Sequence, residues 1–351
     1  MPFDATTQAE KAAIGGKPHR PTYDDHVIVS IDWSQIELVL IGDFSGDPDF
    51  ARCYGQIPYD DLHIIAAAEA LGMTEEQFVG LKKGVDPGVR PLRDQLGREM
   101  DPPKAYKYWR TEVGKGSNFN YWYSGALSTV GERLNWSPDQ MWEATERYRS
   151  RFSVAEQWRL GVIGHGQQFG WVELPDGHRR RRFEATAMWA EGFKQKFSPW
   201  AHHDGVRHFV DLIVRRIQSR ANNQLVNAMI QGSCATLAKR SILRIRRRLA
   251  EMGWGKREAR FMMPIHDETV FSVHRKLVVP FIQMAREVMR HHPDIIRTLP
   301  IDCSPSVGLT FEPWNAQKAR LGQIELFEAP DRGTGAGRGR RPSARAARRR
   351  R

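Results

Sequence analysis

The chain has 351 residues, 40% of them hydrophobic, and a formal net charge of +12 at pH 7, enough for a sizeable core and more than one domain. Its three scattered cysteines, Cys53, Cys234 and Cys303, exclude a disulfide framework and zinc-ligand spacing and fit a reducing compartment. No apolar run approaches the roughly 20 residues that span a bilayer, and the first residues lack the apolar core of a signal peptide, so a soluble cytoplasmic protein with no membrane partner is expected.

The first predicted strand is VIVSI, residues 27–31, which stops on Asp32. A helix follows, with Glu37 alone among apolar neighbours. Asp32 reads either as a helix N-cap or as a buried carboxylate with a chemical task. Glu37 reads as a solvated helix position or as a second placed carboxylate. DDLHIIAAAEALGM suggests another helix, and the Gly-, Pro- and charge-rich residues 82–103 a connection. Residues 104–127 read as a helix broken or bent by its glycines, and SPDQMWEATERYRSRF as a helix capped at Ser137. GWVELPDGHRRRRFE carries a hairpin signal, since proline presets φ and glycine accepts φ > 0 in the turn. Residues 209–250 look like helices, one of them very basic. RFMMPIHDETVFSV reads as two short strands around a turn at His266 and Asp267.

Strands at both ends of a helical middle suggest an α+β fold with a helical insertion. Residues 332–351 hold nine arginines and no acid, so the preceding chain carries only about +3. This tail has no core-forming content and reads as disordered. It either grips phosphate backbones without reading sequence or merely solubilises the chain.

If the strand ending at Asp32 neighbours the HDE turn, Asp32, Asp267 and Glu268 converge. Such carboxylates repel unless cations lie between them. Oxygen ligands of this kind suit Mg²⁺, and a two-ion site stabilises both oxygens of a phosphoryl transfer. Lys115, Phe119 and Tyr123 lie four residues apart, which puts a cation and two rings on one helix face. That face suits a nucleoside triphosphate; equally it is a core stripe with a snorkelling lysine.

IDWSQIELVLIGDFSGDP resembles the first polymerase motif of the family A DNA polymerases, DYSQIELRILAHLSGDP, and PIHDETVF resembles their HDE motif. KGSNFNYWYSG resembles the family's fingers helix, K-x-x-NFG-x-x-YG. NAMIQGSCATLAK resembles NAPIQGTAADLMK, GWVELPDGHRRRR resembles GYVETLFGRRR, and DLHIIAAAEALGM resembles D-x-H-x-x-x-A. The six matches run in the family's order over roughly residues 25–315.

The resemblance implies a right-hand architecture with an antiparallel-sheet palm and a mostly helical fingers insertion. It divides the chain into an N-terminal extension (1–22), palm (23–60 and 209–330), fingers (61–208) and a disordered arginine-rich tail (331–351). It implies a template-directed DNA polymerase that takes a primer–template and deoxynucleotides and uses two Mg²⁺ ions, with Mn²⁺ as an alternative. Asp32 and Asp267 would hold metal together with the Trp33 carbonyl, and Glu268 would tune the site. Glu37 would exclude a ribose 2′-OH, with Gln35 beside it. Lys115 would hold the triphosphate, Phe119 the sugar and base, and Tyr123 the end of the pocket. Phe at position 119 implies exclusion of dideoxynucleotides. Asn227 and Gln231 would line the primer–template minor groove. His266 would lie near the primer terminus, and Arg179 to Arg182 face either phosphates or solvent.

Departures from the pattern are also visible. Val39 and Asn223 stand where the family has arginines, and Asn120 and Ser124 where it has glycines. The arginine expected four residues before Lys115 falls on Thr111, with Arg110 one place off. Either a local bulge carries Arg110 to the triphosphate or one contact is missing. Only 31 residues precede Asp32, so a chain without a thumb is expected, a separate chain supplying thumb and 3′–5′ exonuclease. A split replication gene of this kind suits a phage, with the product in the host cytoplasm. The competing readings are a polymerase-fold DNA-binding or replisome protein of little or no turnover, and a two-metal nuclease. The nuclease leaves the lysine–aromatic face unexplained.

Overall fold

The structure is a computed structural model, and it describes residues 25–308 apart from residue 201. The arginine-rich tail and the N-terminal extension lie outside the described residues. Four antiparallel strands form one sheet in the order β4–β5–β1–β6, where β1 is His26–Trp33, β4 Ala259–Ile265, β5 Glu268–His274 and β6 Cys303–Gly308. The strand predicted from VIVSI is therefore central, with the HDE hairpin paired directly beside it.

The side-chain period of two explains what β1 does. Val27, Val29, Ile31 and Trp33 point to the buried face. Helix α12 (Val278–Arg290) covers that face with Phe281, Ile282, Ala285 and Met289, spaced along one side of the helix. The Trp33 indole N–H donates to the Met289 carbonyl at 3.1 Å, so the one polar atom of a fully buried ring is satisfied. Ser30 and Asp32 consequently face the open side. The expectation of a buried Asp32 is corrected here: its side chain is exposed at the end of the sheet.

Between β1 and β4 the chain is almost all helical. Helix α1 (Ile36–Ser45) follows β1, and α2 (Pro48–Tyr54) and α3 (Leu62–Leu71) are N-capped by Asp47 and Asp61. Then come α4 (Glu75–Lys82), an irregular connection, α5 (Pro102–Trp109), a π-helical turn (Arg110–Lys115) and α6 (Gly116–Ser124). The chain continues through α7 (Ser128–Arg133), α8 (Pro138–Arg151) with the predicted Ser137 capping box, and α9 (Ser153–Phe169). An aromatic cluster of Phe50, Tyr54, Trp122, Tyr148 and Phe152 locks α2, α6 and α8 together with ring centroids 4.8–6.4 Å apart.

The predicted hairpin is present as β2 (Trp171–Glu173) and β3 (Arg179–Arg181), followed by α10 (Ala187–Gln195). Residues 209–250, read as several helices, belong to one helix, α11 (Asp204–Glu251), of 48 residues and about 72 Å at 1.5 Å per residue. It holds no proline, and its interior glycine, Gly232, has no room for a side chain because Leu174 packs on it. Its buried stripe touches α9, the hairpin, α1, α6 and α12, so this one rod ties the sheet to the helical region. Among the described residues, no helix is long and apolar enough to cross a membrane.

Candidate active site

Strand register builds the first part of the site. Asp32 on β1 lies opposite Glu268 on β5, and Asp267 occupies the two-residue turn just before it. The turn is made by His266 at φ 55°, a left-handed conformation that is uncommon outside glycine. Gln35 takes φ 53° at the start of α1, so a strained residue adjoins each carboxylate segment. Gln35 has no capping bond from its side chain, and its amide oxygen instead accepts from the Tyr54 hydroxyl at 3.0 Å. Asp32 does not cap α1, which removes its cap reading.

The electrostatics follow from this crowding. The Asp32 carboxyl is pushed up to about 6, first by partial burial, then by the charges of Asp267 and Glu268, against a lowering bond from the Trp33 N–H. Burial and Asp267 likewise raise Glu268, whose carboxylate also accepts from the Ser30 hydroxyl. Among the described residues, no lysine or arginine pairs with Asp32, Asp267 or Glu268. A cluster of carboxylates with no lysine or arginine paired to it among the described residues suits a hard divalent cation. No group of three or more His, Cys, Asp or Glu side chains arranged to hold an ion occurs among the described residues.

Four distant segments then converge. Burial raises Glu37 and the nearby Asp267 charge adds to it, while the polar side chains of Tyr123 and Gln231 pull it down. The Tyr123 hydroxyl is buried and closes no well-formed bond within the protein, and its pKa is pushed far up by burial and by Glu37. Thus α1, α6, α11 and the β4–β5 turn bring residues 37, 123, 231 and 267 to one place. Asn227, one turn before Gln231, keeps its side-chain oxygen buried without a partner.

Helix α6 supplies an open face. Val113, Gly114, Ser117, Asn118, Tyr121 and Trp122 are buried, while Lys115 and Phe119 are exposed and Tyr123 half-buried. The Lys115 ammonium sits 5.8 Å from the Phe119 ring centre, within cation–π range. The core-stripe reading of these three residues is thereby displaced: the stripe is the neighbouring face.

A π turn shifts the spacing of Arg110 relative to Lys115. The Gly116 N–H bonds to the Thr111 carbonyl, an i→i−5 link. Such a turn stacks residues five apart as an α turn stacks residues four apart. Arg110 therefore takes, relative to Lys115, the place that α-helical spacing would assign to residue 111. Its guanidinium pairs with Asp61, the N-cap of α3.

Two residues of the D-x-H pattern, Asp61 and His63, adjoin this turn although the sequence reading gave them no role. Asp61 caps α3 through the His63 N–H at 3.1 Å. His63 is buried; its Nδ1 accepts from the Asn118 amide at 2.8 Å, and Asn118 accepts from the Tyr148 hydroxyl. Burial lowers the His63 pKa to about 4; Asp61 opposes the shift, whereas Arg110 and Lys115 add to it. The imidazole is neutral, and Arg110, Lys115 and Asp61 all lie within its electrostatic reach. Gly114 explains the closeness: a Cβ there would stand 2.1 Å from the His63 carbonyl oxygen.

Arg179 stands apart from these groups. It stacks on Trp171 at 4.0 Å and pairs with Glu173 at 2.8 Å on the hairpin. His266 is exposed at the turn beside the carboxylates.

The chain is 24% identical over 263 residues to the thermostable DNA polymerase I of Thermus thermophilus, covering 75% of this chain and 24% of that protein. Against DNA polymerase I of Bacillus caldotenax, identity is 21% over 282 residues, 80% of this chain and 26% of that one. The chain thus spans about a quarter of the length of the curated relatives it matches. The fold is similar to the POL domain of Pol1 from M. smegmatis, solved in complex with DNA primer-template and dNTP. That likeness has a TM-score of 0.57 at 19% identity and covers 81% of this chain and 40% of the other. A family model described as DNA polymerase family A matches residues 101–313, from the start of α5 to beyond β6. With that match over more than half its length, this chain belongs to DNA polymerase family A.

Proposed function

We propose that this chain is the catalytic core of a template-directed DNA polymerase that adds deoxynucleotides to a primer 3′-OH. The observation that carries the reading is the placement of three carboxylates, unpaired with any lysine or arginine among the described residues, beside a helix face that presents Lys115, Phe119 and Tyr123. Residues 23–60 and 209–330 would form the palm and 61–208 the fingers. Asp32 and Asp267, with the Trp33 carbonyl, fit two Mg²⁺ ions, Mn²⁺ being the alternative. When bound, such ions lower the barrier by stabilising the attacking and leaving oxygens.

The protein's own groups do the rest. Lys115 and Arg110 hold the triphosphate and neutralise the charge that grows on the departing diphosphate. The neutral His63 keeps one ring N–H for a phosphate oxygen, because its other nitrogen accepts from Asn118. Phe119 packs on the sugar and base. Glu37, buttressed by Tyr123 and Gln231, occupies the space under the sugar where a 2′-OH would fall. Asn227 and Gln231 offer amides to the minor-groove acceptors common to all correct pairs, which checks shape rather than sequence. His266 and Glu268 adjoin the primer end.

The test is primer extension on a short primer–template with Mg²⁺ and either deoxy- or ribonucleotides, beside Asp267→Asn. Extension with deoxynucleotides alone, lost in the variant, is expected. Retained binding of DNA without extension under any condition would replace this reading by that of a DNA-binding member of the fold.

A further inference from the structure

Bonded to His63 is a buried chain of polar groups contributed by two further helices. Tyr148 on α8 is fully buried against Tyr121, Trp122 and Phe152, with ring centres 4.7–6.1 Å away, so its hydroxyl is a polar atom that the core must satisfy. It donates to the Asn118 amide oxygen at 2.5 Å, and the Asn118 amide nitrogen lies 2.8 Å from His63 Nδ1. Asn118 is wholly buried and His63 nearly so, and water does not compete for these bonds.

The direction of the chain is set at its far end. Burial and the neighbouring Tyr121 raise the Tyr148 pKa, and the Trp122 indole N–H, itself buried without a well-formed bond, pulls it down. An indole N–H only donates, so the Tyr148 hydroxyl turns its oxygen to Trp122 and its proton to Asn118. The amide oxygen is then occupied, and the amide N–H faces His63. Nδ1 accepts, which leaves the ring proton on Nε2. Turned over, the amide would set its N–H against the tyrosine and leave the tyrosine proton facing the indole N–H.

We propose that Tyr148 is a positioning residue of the nucleotide site: through Asn118 it holds His63 with Nδ1 as acceptor and Nε2–H turned to the triphosphate. The inference rests on the polymerase reading for what meets Nε2–H. Its consequence is a histidine whose charge does not follow pH. A second proton can enter only at Nδ1, where the Asn118 N–H already points. Asp61 at the start of α3 and Arg110 and Lys115 on the π turn are the charged groups that face the ring, and the two cations oppose a further positive charge. Helix α6 carries no charged residue, and the charges of α4 and α8 that reach α3, Glu75, Arg147 and Arg151, gather at its far end around Glu69.

The first measurement needs neither a variant nor turnover. Long-range ¹H–¹⁵N correlation spectra of the full chain labelled with ¹⁵N-histidine, with His63→Gln to assign the ring, show which nitrogen carries the proton. A bare Nδ1 from about pH 8 down to about 5.5 is expected, and a proton on Nδ1 overturns the relay. Tyr148→Phe frees the amide to turn over, so Nδ1 gains the proton and the ring charges near its ordinary value of about 6.5. Asn118→Asp offers Nδ1 only acceptors and gives the same spectrum should the first variant not fold. A spectrum unchanged from the parent's in the folded variant overturns the role of Tyr148. In single-nucleotide extension, Tyr148→Phe raises the nucleotide KM about tenfold at pH 7.5 with kcat little changed, because one bond to a charged acceptor is lost. Relative to the parent, whose profile carries the triphosphate's own titration, this excess shrinks toward pH 5.5 as an imidazolium forms. An excess equal at both pH values marks a merely structural loss and overturns the relay. Absent extension with a bare Nδ1 in the parent leaves the relay standing and removes the catalytic reading; normal extension with a protonated Nδ1 does the reverse.

Discussion

The exchange Arg110→Thr with Thr111→Arg tests the π turn directly, because it keeps composition and net charge while moving the arginine to the spacing the family motif has. In an α-helix, residue 111 is the position stacked on Lys115; with the i→i−5 link it is residue 110. The doubly exchanged protein should therefore lose a phosphate contact rather than regain one. A charge-assisted hydrogen bond to phosphate contributes about 1.5–3 kcal/mol. Against this stands the Arg110–Asp61 pair, whose side chains are 37% and 25% exposed and which is worth about 0.2–1 kcal/mol, broken when the arginine turns to its substrate. The net, about 0.5–2.8 kcal/mol, corresponds to a rise of about 2- to 110-fold in the KM for the incoming nucleotide. Steady-state single-nucleotide extension measures it, with Arg110→Ala as the reference for complete loss. The exchanged protein should resemble that reference. A KM equal to or below the parent's would refute the reasoning, since the arginine would then act from position 111 and the working turn would be α-helical.

Gly114→Ala places a methyl group 2.1 Å from the His63 carbonyl oxygen, a backbone atom that cannot step aside, so a cost near the upper end of about 1–3 kcal/mol is expected. Thermal unfolding followed by circular dichroism should show a fall of roughly 5–10 °C, and an unchanged Tm would remove the close-packing account. His292 is buried between Ser241 and Arg244, and burial, Arg244, Arg240 and His291 lower its pKa to about 4. The unfolded chain therefore binds this proton first, and the stability it contributes is complete above about pH 6.5 and lost as the pH falls to about 4. Between pH 7.5 and 5 this loss is about 2 kcal/mol, so urea unfolding of His292→Asn should show a pH dependence smaller by that amount, and an identical dependence would contradict it. Phe119 is 37% exposed on the open face of α6, where the proposed function puts the nucleotide, and its ring carries no hydroxyl to replace a missing sugar 3′-OH. Phe119→Tyr should raise dideoxynucleotide incorporation about tenfold in a termination assay, and efficient termination by the parent itself would count against the assignment.

Much of this protein is local, and what is local was legible. The β-branched run before Asp32, the Pro-Asp-Gly turn of β2–β3, the Ser137 capping box and the four-residue spacing of Lys115, Phe119 and Tyr123 each follow from neighbours a few residues away. Tertiary structure decided what depends on distant partners. The sheet order put Glu268 opposite Asp32, and only that pairing turned three separately ambiguous carboxylates into one charged cluster. Asp32 came out exposed rather than buried because alternation along β1 gives its buried face to Trp33 and the residues before it. The meeting of Glu37, Tyr123, Gln231 and Asp267 depends on how α1, α6 and α11 pack, which no spacing in any one segment encodes. The π turn is the finest case. An α turn and a π turn differ by one hydrogen-bond partner, and propensity does not separate them. The close approach of Gly114 to His63 and the Arg110–Asp61 pair both accompany the π turn, and both exist only once α3 lies against it.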